Sequence, residues 1–159
     1  MNKQQESLYL KIAIYGGVYL FIVRPLLQKI GIVKSAEEKL VERQNELPNN
    51  INPFSPVFYK TGGAGTIILR QSAAANYAQI IYNAMGFVTD DEAAILGVFR
   101  QLRTQSQVSY LSEFFTTKYG ASLLDFLQRG KNQYNPASGL NADEMNTIFN
   151  IVNKLPKYK

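Results

Sequence analysis

The sequence contains no cysteine, no histidine and no tryptophan. Without cysteine there is no disulfide, no thiolate metal ligand and no cysteine nucleophile. Without histidine the commonest general base is gone and a Ser-His-Asp triad is impossible. With both missing, an ordinary zinc site has no ligands. Acidic charge is scarce at the front of the chain. Residues 1–34 hold Lys3, Lys11, Arg24, Lys29 and Lys34 against Glu6 alone, and the remainder is nearly balanced. The net charge of +5 is therefore mostly a property of the N-terminus. A nucleic-acid binder carries its positive charge on a folded face. Here the charge flanks the most apolar stretch, which fits a bilayer better than a phosphate backbone, so no specific nucleic-acid partner is expected.

What the chain has in quantity is apolar side chains, 46% of 159 residues, with only 18% charged. That composition forms a packed domain. The longest uncharged run, Ile12 to Val23, makes roughly 18 Å of helix. Leu8 to Leu27 reaches the roughly 20 residues that a bilayer core requires, with Lys11 and Arg24 near its ends, placed to snorkel outward. The expected anchor is Lys11, Ile12, Ile14, Val18, Leu20, Phe21, Ile22, Val23 and Arg24. Gly16-Gly17 permits close approach of another helix, and Pro25 kinks or ends this one. Two other readings stand beside a single-pass anchor: a helix in the membrane interface or between subunits, and a cleaved signal peptide, against which no A-x-A-like site comes after the run. The more basic flank lies on the C-terminal side of the segment, so the C-terminal part is expected on the cytoplasmic or interior side.

Punctuation divides the rest. Ser35-Ala36-Glu37-Glu38 is a capping box opening a charged stalk helix within residues 35–47. Residues 48–71 are dense in Pro, Asn and Gly and read as a linker or arm. Its apolar residues Phe54, Phe58 and Tyr59 are expected to pack on the domain or on a neighbour, and are the candidate partner contacts. Gly62-Gly63-Ala64-Gly65-Thr66 lacks the Gly-Lys-Ser/Thr ending of a phosphate loop and reads as a turn. Residues 72–159 carry five short helical patterns. Ser72 is the expected cap of the first, whose apolar face runs Tyr77, Ile80, Ile81, Ala84. Thr89 and Glu92 form a capping box for the second, with Ile95, Leu96, Val98, Phe99 and Leu102 inward. Gln105 to Tyr119 is the third, stopped by Gly120, and Ser122 to Gln128 the fourth. The last opens at Asn141-Ala142-Asp143-Glu144, with Met145, Ile148, Phe149 and Val152 inward. The expected fold is all-α.

The order of these helices resembles one annexin repeat. The motifs that carry it are Met85-Gly86-Phe87-Val88-Thr89-Asp90-Asp91-Glu92 with Ile95 in phase, Arg103-Thr104-Gln105-Ser106-Gln107, and Tyr119-Gly120-Ala121-Ser122-Leu123 through Leu127. The resemblance implies a compact five-helix unit over about residues 73–155. It does not carry over calcium: Phe87 and Thr89 occupy the two glycine positions, and Arg129-Gly130 stand where the acidic cap belongs. No metal or cofactor is expected. An anchor, a linker and a lone repeat also look like small virion or envelope proteins of bacteriophages infecting Bacteroidetes. The function expected is a membrane-anchored, non-catalytic structural or interaction protein, whose partners are the bilayer and other structural proteins of the same assembly. The alternatives are a soluble homo-oligomeric scaffold burying Ile12 to Val23 between subunits, and a small cell-wall-lytic enzyme using Glu113.

Overall fold

The computed structural model describes residues 36–86, 90–131 and 139–159. The chain divides into two compact units, Met1–Lys39 and Leu40–Lys159, and the described residues belong almost wholly to the second. Among them the protein is all-α: α1 (Ala36–Asn45), a short 3-10 helix (Phe58–Gly62), α2 (Gln71–Ala84), α3 (Glu92–Gln101), α4 (Gln105–Tyr119), α5 (Leu123–Arg129) and α6 (Ala142–Lys154). None of these helices is long and apolar enough to cross a membrane.

The helix ends are set by local chemistry. Thr104 caps α4 by accepting from the Gln107 amide, and Gly120 ends it at φ 72°, a left-handed conformation that suits a residue without Cβ. Ser122 caps α5. Asn141 and Glu144 form a reciprocal capping box on α6. Two expected caps are corrected. Helix α2 begins at Gln71 after Arg70, with no side-chain cap, and Ser72 lies inside its first turn. Helix α3 is capped by Asp91, which accepts from the Ala94 amide. Asp90 instead turns back to accept from the Gly86 amide at 2.8 Å, and Thr89 lies outside the described residues.

The core is continuous through α2 to α6. Ile95, Val98, Phe99, Leu102, Val108, Leu111, Phe115, Met145, Ile148, Phe149 and Val152 are all buried. The inward face of α2 is rotated from the expected stripe: Ala74, Ala78, Ile81 and Met85 are buried, while Tyr77, Ile80 and Ala84 flank the core. Two alanines on the inner line let α2 approach its neighbours closely, and the bulkier Tyr77 and Ile80 then fill the sides.

Helix α4 is the hub, and its first half is unusually polar for a buried helix. Gln105, Ser106, Gln107, Ser109 and Ser112 are all buried. The first amides of a helix have no partner within it. Here the Gln105 and Ser106 amides donate to the carbonyls of Pro156 and Lys157, both at 2.9 Å. The tail is available for this because α6 stops at Leu155 and Pro156 cannot extend it. The Ser106 hydroxyl donates to the Ile67 carbonyl at 2.6 Å, and the Ile67 amide donates to the Tyr158 carbonyl at 2.8 Å. One turn further on, Ser109 Oγ donates to the Ser55 carbonyl and accepts from the Tyr59 amide.

The segment expected as a linker is thus tied to α4 and to the tail. Phe54 packs on Phe99 and Phe149, with centroids 6.0 and 5.6 Å away, and Phe58 stacks on Tyr158 at 5.3 Å. The glycine-rich stretch forms a turn with positive φ at Gly63 and Gly65, and a Cβ on Gly62 would overlap the Tyr158 ring. The end of α1 is docked as well. Gln44 donates to Asn52 Oδ1, and the Asn45 and Gln128 side-chain amides exchange two hydrogen bonds. The expected solvated stalk is therefore anchored through its last turn.

The serines of α4 offer a sharp test. Ser109→Ala leaves the Tyr59 amide and Ser55 carbonyl without their partner and is expected to lower stability by about 1–3 kcal/mol. Ser112 Oγ is buried and makes no hydrogen bond, so Ser112→Ala is expected to be neutral or slightly stabilising. Chemical denaturation monitored by circular dichroism compares the two; equal losses would contradict this account of the seam.

Candidate functional site

The arm brings together two of the residues singled out from the sequence. Tyr59 Oη donates to Glu113 Oε2 at 2.6 Å. Lys60 Nζ donates to Glu113 Oε1 at 2.7 Å and forms an ion pair with it. Tyr110, one helical turn before Glu113, meets the Tyr59 ring edge-on at 5.4 Å. Lys60 and Tyr59 are both presented by the 3-10 helix, whose tight turn points them toward α4.

The electrostatics of this cluster define its chemistry. Burial pushes the Glu113 carboxyl up, but the hydrogen bonds from Lys60 and Tyr59, with the Lys60 charge, outweigh it and hold the group below its ordinary value. Glu113 in turn raises Lys60, chiefly through their hydrogen bond. Burial, then the bond to Glu113, raises the Tyr59 hydroxyl. A carboxylate held ionised by two donors is a poor proton donor, whereas a general acid needs a raised pKa. The arrangement is suited to pinning the arm and shaping a surface. It gives no help to the cell-wall-lytic expectation for Glu113.

Of the three candidate partner contacts, Phe54 and Phe58 are 3% and 1% exposed and spend their rings inside the domain. Only Tyr59 keeps accessible surface, beside exposed Val57 and half-buried Tyr110. The two phenylalanines settle on their own domain because the arm's backbone is fixed by Ser109 and their rings fall against α3, α6 and the tail. The anchor residues Lys11, Ile12, Ile14, Val18, Leu20, Phe21, Ile22, Val23 and Arg24 lie outside the described residues.

A second acidic cluster lies where α3 and α6 begin. Asp90 and Asp91 hold the Gly86 and Ala94 amides, and Glu144 closes its own capping box. Glu144 is raised by burial and by Glu92 and Asp90 nearby. Asp91 and Glu144 thus serve helix ends, where the dipole favours an acid. Among the described residues no group of three or more acidic side chains is arranged to hold a metal ion. Comparison of the chain with family models, with curated proteins and with solved structures finds no match.

Sequence reasoning flagged Glu113 and Tyr59 but missed Lys60, Ser109 and Tyr158. The serines had a signal: Ser106, Ser109 and Ser112 recur every third residue beside the apolar face of α4. Such a stripe marks where another backbone packs close and needs donors.

The cluster predicts a pH effect. A carboxylate whose folded pKa is depressed stabilises the fold above its unfolded value and loses that contribution as pH falls through the folded one. Glu144 acts oppositely, because its raised pKa favours the folded state as it protonates. The difference between wild type and Glu113→Gln isolates Glu113. Wild type is expected to lose more stability than the variant as pH falls from about 5 to 3. Parallel denaturation curves over that range would contradict the assignment. The effect is small, since both side chains of the ion pair are partly exposed and screened.

Proposed function

We propose that the protein is a membrane-anchored, non-catalytic structural or interaction protein, in which the N-terminal segment fixes the chain to a bilayer and the helical domain presents a surface to other proteins of the same assembly. One observation carries the reading. Leu8 to Leu27 contains no acidic residue and places its two bases, Lys11 and Arg24, near opposite ends. Buried charges in a bilayer are costly, and end-placed bases on long stems escape that cost by snorkelling. Arg24, Lys29 and Lys34 favour the cytoplasmic or interior side for the C-terminal domain.

The domain supports a positioning role. Its best-placed acid is held ionised by hydrogen bonds from Lys60 and Tyr59 rather than poised for proton transfer. The aromatic patch of Tyr59 and Tyr110, with Val57 beside it, is the contact surface this reading favours, since aromatics dominate such interfaces. The annexin-like order of the helices fits a contact module without calcium chemistry. A small virion or envelope protein is the setting that combines these parts.

Alkaline carbonate extraction of membranes expressing the full chain tests the anchor. The protein is expected to stay in the pellet, and the double variant Ile14→Lys with Leu20→Lys is expected to move to the supernatant. Release of the wild-type protein, as a defined soluble oligomer, would overturn the anchor in favour of a scaffold that buries residues 12–23 between subunits.

A further inference from the structure

A cleft of about 350 Å³ opens between α2, α5 and the C-terminal end of α4. Its lining includes Tyr82, Tyr119, Phe126, Asp125, Arg129 and Lys131. The volume lies in the lower part of the range that holds small ligands. Three rings in or beside it share one orientation. Tyr82 is parallel to Tyr119 within 4° at 4.2 Å, and to Phe126 within 12° at 5.5 Å. Phe115 wedges behind Tyr119 and Phe126 at 4.7 and 4.9 Å, so the stack is fixed by the core.

The charges around the stack are of two kinds. Arg129 is paired with Asp125 at 3.5 Å. Lys131 has no carboxylate partner among the described residues; its ammonium lies 4.6 Å from the centroid of Tyr82. A second ammonium, that of Lys118, stands 5.1 Å from the centroid of Tyr119 and is steadied by Gln79 Oε1 at 2.9 Å. An ammonium resting on an exposed ring gains little, while an ion pair with a bound anion adds a charge-assisted hydrogen bond. The cleft therefore combines an aromatic platform, Tyr82 backed by Tyr119, with a cation over that platform, Lys131, that has no carboxylate partner among the described residues and gains more from a negative group than from the ring.

We propose that this cleft binds a planar aromatic anion of the nucleoside monophosphate type, its ring taking the place of the Lys131 ammonium on Tyr82 and its phosphate held by Lys131. The same chemistry is offered by a free nucleotide and by one nucleotide of a single strand. The cleft accommodates one unit at a time. This inference stands independently of the membrane reading, since it uses only residues of the helical domain.

Titration calorimetry on the detergent-solubilised full chain tests it, with AMP, adenosine and inorganic phosphate as separate probes. AMP is expected to bind saturably, and adenosine and phosphate each more weakly. Lys131→Ala, a change at a surface side chain, is expected to weaken AMP at least about tenfold with an unchanged thermal melt. Asp125→Asn removes the one carboxylate among the described residues that line the cleft and is expected to tighten AMP. A short single-stranded oligonucleotide that competes with AMP assigns the strand as the source; failure to compete assigns the free nucleotide. The proposal is overturned by no saturable AMP heat at millimolar concentration, by phosphate binding as tightly as AMP, or by unchanged affinity in Lys131→Ala.

Discussion

The first two amides of α4 donate to the carbonyls of Pro156 and Lys157, and much of the described structure depends on that pairing. An unpaired amide buried in a core costs as much as a lost hydrogen bond or more. The C-terminal tail removes that cost, and in doing so it brings Tyr158 against Phe58 and its carbonyl against the Ile67 amide. Ile67 then offers its own carbonyl to Ser106. The arm, the tail and the hub helix are linked in one closed circuit of hydrogen bonds. The tail is extended chain and the arm is turning chain with one short 3-10 helix, and both are held largely by the first half of α4.

That circuit explains which parts of the fold are legible in the sequence. The helices of residues 71–154 are, because their signals are local. Thr104 and Gly120 bracket α4, and Asn141 with Glu144 opens α6. The inner face of α2 is harder to read because alanine carries little hydropathy. Ala74 and Ala78 serve closeness, which a hydrophobic pattern does not register. The caps expected at Ser72 and Thr89 lose to neighbours: Asp91 sits nearer the start of α3, and Arg70 reaches an extended conformation that begins α2 without a side-chain cap. The arm is legible only as a turn-rich stretch. What fixes it lies far along the chain, since Lys60 meets Glu113 across 53 positions and Tyr59 meets Ser109 across 50.

The same distinction separates the two functional readings. The membrane reading rests on a local property, an apolar run flanked by bases, and needs no tertiary structure to state. The cleft rests wholly on tertiary structure: Tyr82, Tyr119 and Phe126 come from three helices, and nothing in their spacing announces that their rings are parallel. Glu113 joins the two levels. It stands out in the sequence as an acid on an amphipathic helix, and its surroundings turn it from a candidate proton donor into the clamp of the arm.

Amide hydrogen exchange on the full chain and on a chain ending at Leu155 measures the circuit most directly. Without the tail, the amides of Gln105, Ser106 and Ile67 are expected to lose protection together, and that of Tyr59 to weaken next as the arm loosens, while the amides of Leu111 and Phe115 in the middle of α4 stay protected. Unchanged protection at Gln105 and Ser106 in the shortened chain would contradict the claim that the tail orders this end of the domain.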